Sequence, residues 1–164
     1  MLRGSRVARR RSSPWRSAGN VQTKIEPAQS DDVESVLGLL EQNRLPIAGL
    51  QQHLATTLVV RRNGSSVGSA ALEVYSDGAL LRSVAVAPEL QGQGLGGELT
   101  DAAIRLAESL DVPAIYLLTT TAERYFPKFG FERIARTDVP AKVQTSIEFT
   151  SACPSSATVM RKTL

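Results

Sequence analysis

Apolar and polar positions along this chain repeat with two different periods, and the switches between them mark out its elements. Between 57 and 86 the period is two, as in half-buried strands. Residues 57–62 and 66–75 read as strands around Asn63-Gly64, a dipeptide suited to a tight hairpin turn. Asp77-Gly78 makes a second turn into 79–86, the most apolar strand. Helical spacing is found at 30–43, where Val33, Val36, Leu37 and Leu40 share a face and Asp31 with Glu34 suits a capping box. It returns at 96–110, with Leu99, Ala103, Leu106 and Leu110 turned to the core. Weaker signals predict strands at 21–26, 131–136 and 157–162, and short helices at 45–54, 122–129 and 140–149. A buried strand fits 114–119. The order is an antiparallel meander and then a helical crossover to a further strand, an α/β arrangement with a mixed sheet.

Length and charge sharpen this picture. The 164 residues suit one domain, placed at 21–164. The formal charge of +3 comes from the first 20 residues, which hold six arginines and no acid. The remaining 13 basic and 16 acidic residues leave a mildly acidic body, so no nucleic-acid partner is expected of it. Residues 1–20 read as a disordered basic tail, with a transit peptide or a nucleic-acid-binding arm as alternatives. No membrane-spanning run is present in the sequence. One cysteine, Cys153, and one histidine, His53, make neither an internal disulfide nor an unaided thiolate or imidazole metal site. A cytoplasmic setting and no metal are therefore expected.

The chemistry-bearing segment is "VAVAPELQGQGLGGELT", residues 84–100, with four glycines in the six positions from Gly92 to Gly97. A phosphate loop for ATP needs Lys-Ser or Lys-Thr after the glycines, and none follows. Gly92, Gly94 and Gly97 match G-x-G-x-x-G, but the next strand ends in "YLLTTT" without the acid that would hold a ribose. The frame beginning at Gln91 fits Q/R-x-x-G-x-G/A between an apolar strand and a helix. Together with "YLLTTTAERYFPKFGFERI", it resembles the acetyl-CoA signature of the GNAT superfamily of N-acetyltransferases. "ALLRSVAVAPELQGQGLG" and the ending "CPSSATVMRKTL" are most similar to its arsenic-resistance-associated branch.

The resemblance implies a twisted, mostly antiparallel sheet, its fourth and fifth strands forming one parallel pair, flanked by helices. It also implies acetyl-CoA as cosubstrate and a small-molecule amine as acceptor. Gln91, Gly92, Gln93, Gly94, Leu95, Gly96 and Gly97 would cradle the pyrophosphate on backbone N–H groups at a helix start. Backbone groups of Val84, Ala85 and Val86 would hold the pantetheine arm and polarise the thioester carbonyl. Glu73 is the candidate base and Arg82 the candidate partner for a substrate carboxylate, unless the two simply pair across the hairpin. Arg82 and Val84 are expected on one face by alternation. Thr120 is a further candidate for substrate contact. The family's usual tyrosine position, four before the Gly of "GF", holds Phe126, so Tyr125 is the candidate acid. The expected reaction is acetylation of a small, acidic amino acid or a toxic analogue, an organoarsenical one included. A non-catalytic CoA-binding module and a protein or peptide acetyltransferase stay open, as does a homodimer.

Overall fold

The computed structural model describes residues 24–164. The expected tail at 1–20 and the first residues of the expected strand at 21–26 lie outside the described residues. Seven strands form one sheet in the order β1-β2-β3-β4-β5-β7-β6. They are β1 Ile25–Pro27, β2 Thr57–Arg62, β3 Ser65–Tyr75, β4 Gly78–Val86, β5 Ala114–Thr119, β6 Glu132–Ile134 and β7 Thr158–Thr163. Among the described residues, only the β4–β5 pair is parallel. The first four strands lie side by side in chain order, and two-residue turns join β2 to β3 and β3 to β4. Asn63 and Gly64 both take positive φ (54° and 82°), the conformation that a two-residue hairpin needs.

Among the described residues, two α-helices cover the sheet. Helix α1, Val33–Gln42, buries Val36, Leu39 and Leu40 against Val59, Ala71 and Ala85. Helix α2, Leu95–Ser109, buries Leu99, Ala103 and Ala107 on the other face against Val60, Ala70, Leu72 and Leu81. Neighbours such as Val59 and Val60 enter opposite cores, as the pleat requires. A third apolar cluster joins Leu80, Tyr116 and Val159 to Val143 in the segment before β7.

Several boundaries differ from the sequence pattern for identifiable reasons. The capping box at α1 is made by Gln29 and Asp32, not Asp31 and Glu34, because a 3-10 turn at Ser30–Asp32 precedes the helix. Arg61 holds Asp32 inward at 2.7 Å. Helix α2 stops at Ser109, so Leu110 is a cap residue and exposed. The region 122–129 contains only a 3-10 turn, Phe126–Phe129, closed by Gly130 at φ 95°. The expected helix at 140–149 is broken by extended backbone at Ser146 into a 3-10 turn, Val143–Thr145, and a π-turn, Glu148–Ala152.

The strand pair that matters most is also the least regular. Between β3 and β4 the register runs Ser69↔Ala85 and then Ala71↔Arg82, so β4 carries one extra residue. Ser83 sits at φ 59° within this bulge. The bulge overturns the simple alternation of Arg82 with Val84. Val84 packs with the α2 core, whereas Arg82 turns to the opposite side.

Candidate active site

Strands β4 and β5 share only two registered pairs, Ala79↔Ile115 and Leu80↔Tyr116. Beyond them β4 continues to Val86 and β5 to Thr119 without pairing to each other. A cleft of about 660 Å³ opens between the diverging strands. Its walls include Arg82–Val86 from β4, Leu117–Thr121 from β5 and its continuation, and Glu148, Cys153 and Pro154 from the segment before β7.

One end of the cleft is the start of α2. Gly94 caps the helix in the left-handed region (φ 88°) and offers no side chain, so the first-turn N–H groups stay open to an anion. Gly92 is also left-handed (φ 83°), and a Cβ at either glycine would meet nothing within 4 Å. Backbone conformation, not crowding, therefore requires glycine at both positions. Gln91 has a different task from the loop that follows. Its Nε2 donates to the Val86 carbonyl at 3.0 Å and to Asn43 Oδ1 at 3.1 Å, tying the end of β4 to the end of α1.

Gly96 and Gly97 make room for Tyr125. A Cβ on Gly96 would lie 3.4 Å from the Tyr125 hydroxyl. The Tyr125 ring stacks edge-on against Phe126 and lies near Phe129, with the Lys128 ammonium 4.2 Å above it. Burial raises the phenol above its ordinary range, so it keeps its proton at neutral pH. Phe126, by contrast, is a core residue packed on Phe131. Thr120 is exposed on the rim of the cleft, while Thr119 Oγ1 accepts from the Ala122 N–H at 2.9 Å and shapes the turn.

The other end is a buried charge cluster. Arg82 Nη1 donates to Glu73 Oε2 at 2.8 Å, Nη2 to the Pro46 carbonyl at 3.2 Å and Nε to Ser83 Oγ at 3.1 Å. Glu148 Oε2 lies 3.3 Å from the same Nε. The Arg82 side chain is 0% exposed, so the pair imagined across the hairpin exists and is fully desolvated. Gly49 roofs it: an added Cβ there would lie 2.9 Å from Ile147 Cγ2 and 3.2 Å from Arg82 Nη1.

The two carboxylates have different environments. Burial alone would raise Glu73, but hydrogen bonds from Tyr75, Arg82 and Ser146 outweigh it and hold the carboxyl below its ordinary range. The Tyr75 hydroxyl donates to Glu73 at 2.6 Å, and that phenol is pushed up to about 12 by burial and its acidic partner. Glu73 is not among the residues that line the cleft; Glu148 is. Burial raises Glu148 to about 7, with Arg82 opposing and Glu73 reinforcing the shift. The Cys153 thiol, pushed up to about 12 by burial and by Glu148, stays protonated and points its sulfur at Glu148 Oε1 (3.7 Å).

Glu148 has no place among the residues singled out from sequence. The available signal was an acid with an apolar neighbour on either side, Ile147 and Phe149, in an otherwise polar stretch. Arg44 was equally hidden. It follows α1 at φ 58°, lines the cleft mouth and forms no ion pair with a described residue. Among the described residues, no group of His, Cys, Asp and Glu could hold a metal ion, and no helix is long and apolar enough to cross a membrane.

Comparison with known proteins agrees with this geometry. Residues 53–133 match the family model of the acetyltransferase (GNAT) domain. An amino-acid acetyltransferase of Mycobacterium tuberculosis is 32% identical over 125 residues, covering 74% of this chain and 71% of that protein. A Vibrio atlanticus amino-acid acetyltransferase is 27% identical, but this chain spans only 29% of its length. In fold, the chain is similar to N-acetylglutamate synthase from Neisseria gonorrhoeae, solved with coenzyme A and N-acetyl-glutamate. The TM-score is 0.73 at 21% identity, over 86% of this chain and 35% of that one. A Mycobacterium tuberculosis structure holding CoA also gives 0.73, at 24% identity, over 86% of this chain and 99% of that one. The cleft between diverging strands, the glycine-capped helix and these relatives agree: the chain belongs to the GNAT family, as an acetyl-CoA-dependent N-acetyltransferase.

Proposed function

We propose that this protein acetylates the α-amino group of a small amino acid, with an acidic one as the preferred acceptor. The observation that carries the reading is the single cleft that joins an uncapped helix start to a buried charge cluster. The N–H groups of Leu95, Gly96 and Gly97, opened by Gly92 and Gly94, receive the pyrophosphate. The rest of the Gln91–Gly97 loop, Gln93 included, shapes that cradle. Backbone groups of Val84, Ala85 and Val86 line the stretch where β4 has left β5, which suits the pantetheine arm and the thioester. Tyr125 supplies the proton for the departing thiolate. The relatives that are amino-acid acetyltransferases support an amino acid as acceptor.

The preference for an acid rests on the guanidinium of Arg44, which lines the cleft and pairs with no acid among the described residues. Arg82 is engaged by Glu73, Glu148, Ser83 and Pro46, so the acceptor's carboxylate is assigned first to Arg44 at the mouth, with Arg82 behind it and Thr120 on the rim. An organoarsenical amino acid is the narrowest member of this acceptor class. Its detoxification would proceed at the amine, because a Cys153 thiol held at about 12 is a poor ligand for soft arsenic at neutral pH.

A thiol-release screen tests the reading, with amino acids, glutamate analogues, organoarsenical amino acids and peptides as acceptors. Acidic amino acids should lead, and Arg44→Ala should raise their KM about tenfold or more while sparing neutral acceptors. Preference for peptides, or an unchanged KM in Arg44→Ala, would contradict the acceptor assignment.

A further inference from the structure

We propose that Glu148 is the group that takes the proton from the acceptor's ammonium. This deepens the acetyl-transfer reading above and rests on it. Three features of the site bear on the choice. First, Glu148 lines the cleft together with Ser83 and Val84, the residues at the β4 bulge, whereas Glu73 lies behind Arg82. Second, Glu148 is fixed in place. Its own N–H donates to Ser146 Oγ at 3.1 Å, and the π-turn Glu148–Ala152 anchors the backbone around it. Third, its two oxygens have separate surroundings. Oε2 faces Arg82 Nε at 3.3 Å, and Oε1 is approached by the Cys153 sulfur at 3.7 Å. A thiol is a weak donor, so Oε1 remains the more basic oxygen.

The groups around Glu148 are the charged Arg82 from β4 and Glu73 from β3, and the neutral thiol of Cys153 from its own turn. Arg136 stands behind, with Nη2 at 3.5 Å from the Phe149 carbonyl. Glu73 is itself fully engaged by Arg82 and Tyr75. The single guanidinium is therefore shared by two carboxylates, and the one with fewer donors is the one facing the cleft.

The step balances simply. The acceptor enters as an ammonium and gives one proton to the Glu148 carboxylate. The neutral nitrogen then bonds to the acetyl carbon, the C–S bond breaks, and coenzyme A leaves as a thiolate. The second nitrogen proton is lost as the amide forms, the thiolate takes up one proton, and Glu148 returns its own to solvent. The α-ammonium of a free amino acid, beside its own ionised carboxylate, is less acidic than the roughly 7.7–8.0 of a chain terminus, so transfer to Glu148 is uphill and is drawn forward as the neutral nitrogen bonds to the acetyl carbon.

The test is the pH dependence of kcat at saturating acetyl-CoA, from about pH 5.5 to 9, with an acceptor that the unmodified protein acetylates. The unmodified protein should show an ascending limb near pH 7. Glu148→Gln should lower kcat about 100-fold, leave the KM for acetyl-CoA within about twofold, and lose that limb. Glu148→Asp should keep the limb at reduced kcat. A Glu148→Gln protein that retains kcat within about threefold and keeps the limb overturns the proposal. If Glu148→Gln does not bind acetyl-CoA, Glu148→Asp decides: a limb supports the assignment, and a flat profile refutes it. Failure of the unmodified protein to release thiol with any amine would instead overturn the acetyl-transfer reading and this step with it.

Discussion

Two arginines in this chain each lie between two carboxylates. Arg61 on β2 meets Asp32 at 2.7 Å and Glu26 at 3.0 Å. Arg82 on β4 meets Glu73 at 2.8 Å and Glu148 at 3.3 Å. Each guanidinium faces two carboxylates, and the consequences are opposite. Arg61 remains 26% exposed, and its hydrogen bonds hold Asp32 below the ordinary carboxylate range. That cluster fastens the start of α1 to the edge of the sheet. Arg82 is sealed from water, cannot satisfy both carboxylates equally, and leaves Glu148 raised to about 7 beside a cleft. Burial and a neighbouring cavity, not the set of residues, separate a structural clamp from a reactive group.

The largest effect should come from removing the central charge of the buried cluster. Arg82→Ala leaves two desolvated carboxylates without a cation and should cost about 3–5 kcal/mol in denaturant unfolding, with loss of acetyl transfer. A loss no greater than that of Arg61→Ala would erase the contrast.

Next comes the pH dependence of stability, where the two clusters have opposite signs. Glu148 is raised from 4.5 to about 7 on folding, so the folded state binds the extra proton. Its contribution is fully present below pH 4.5 and is lost as pH rises through about 7, an effect on the order of 3 kcal/mol for this buried group. Asp32 is lowered from 3.8, so its contribution is present above pH 3.8 and is lost as pH falls through the folded value. Unfolding free energies across a pH series should show the first slope vanish in Glu148→Gln and the second shrink in Asp32→Asn. A Glu148→Gln series that keeps the first slope would locate it elsewhere.

How much of this was legible in the sequence follows from range. The β2–β3 hairpin, the helix α2 that follows the glycines and the strand Ala114–Thr119 depend on residues adjacent in the chain, and the sequence pattern placed them to within about a residue. The buried pair of Glu73 and Arg82 was within reach because one turn connects their strands. Glu148 was not, because its partner lies 66 positions away, and the helix expected at 140–149 gives way to two tight turns. Nor could strict alternation foresee the bulge at Ser83, where one extra residue reverses the faces of everything beyond it.

The smaller predictions sharpen the same contrast. Arg61→Ala should cost about 1–2 kcal/mol, through the lost clamp on Asp32, with acetyl transfer retained. A thermal unfolding scan and a thiol-release assay suffice to check it. Gly49→Ala should cost about 1–2 kcal/mol for its left-handed backbone and should also move the ascending pH limb, since its methyl presses on Ile147 and Arg82. A limb unmoved by Gly49→Ala would show that the roof does not set the properties of the cluster.

Carboxyl NMR titration of the protein with carbon-13-labelled glutamate and aspartate tests the central claim most directly. One glutamate resonance should titrate near pH 7 and disappear in Glu148→Gln, while the Asp32 resonance titrates below its ordinary 3.8. If every glutamate carboxyl titrates near the ordinary 4.5, the two clusters are alike and the account of the buried one is wrong.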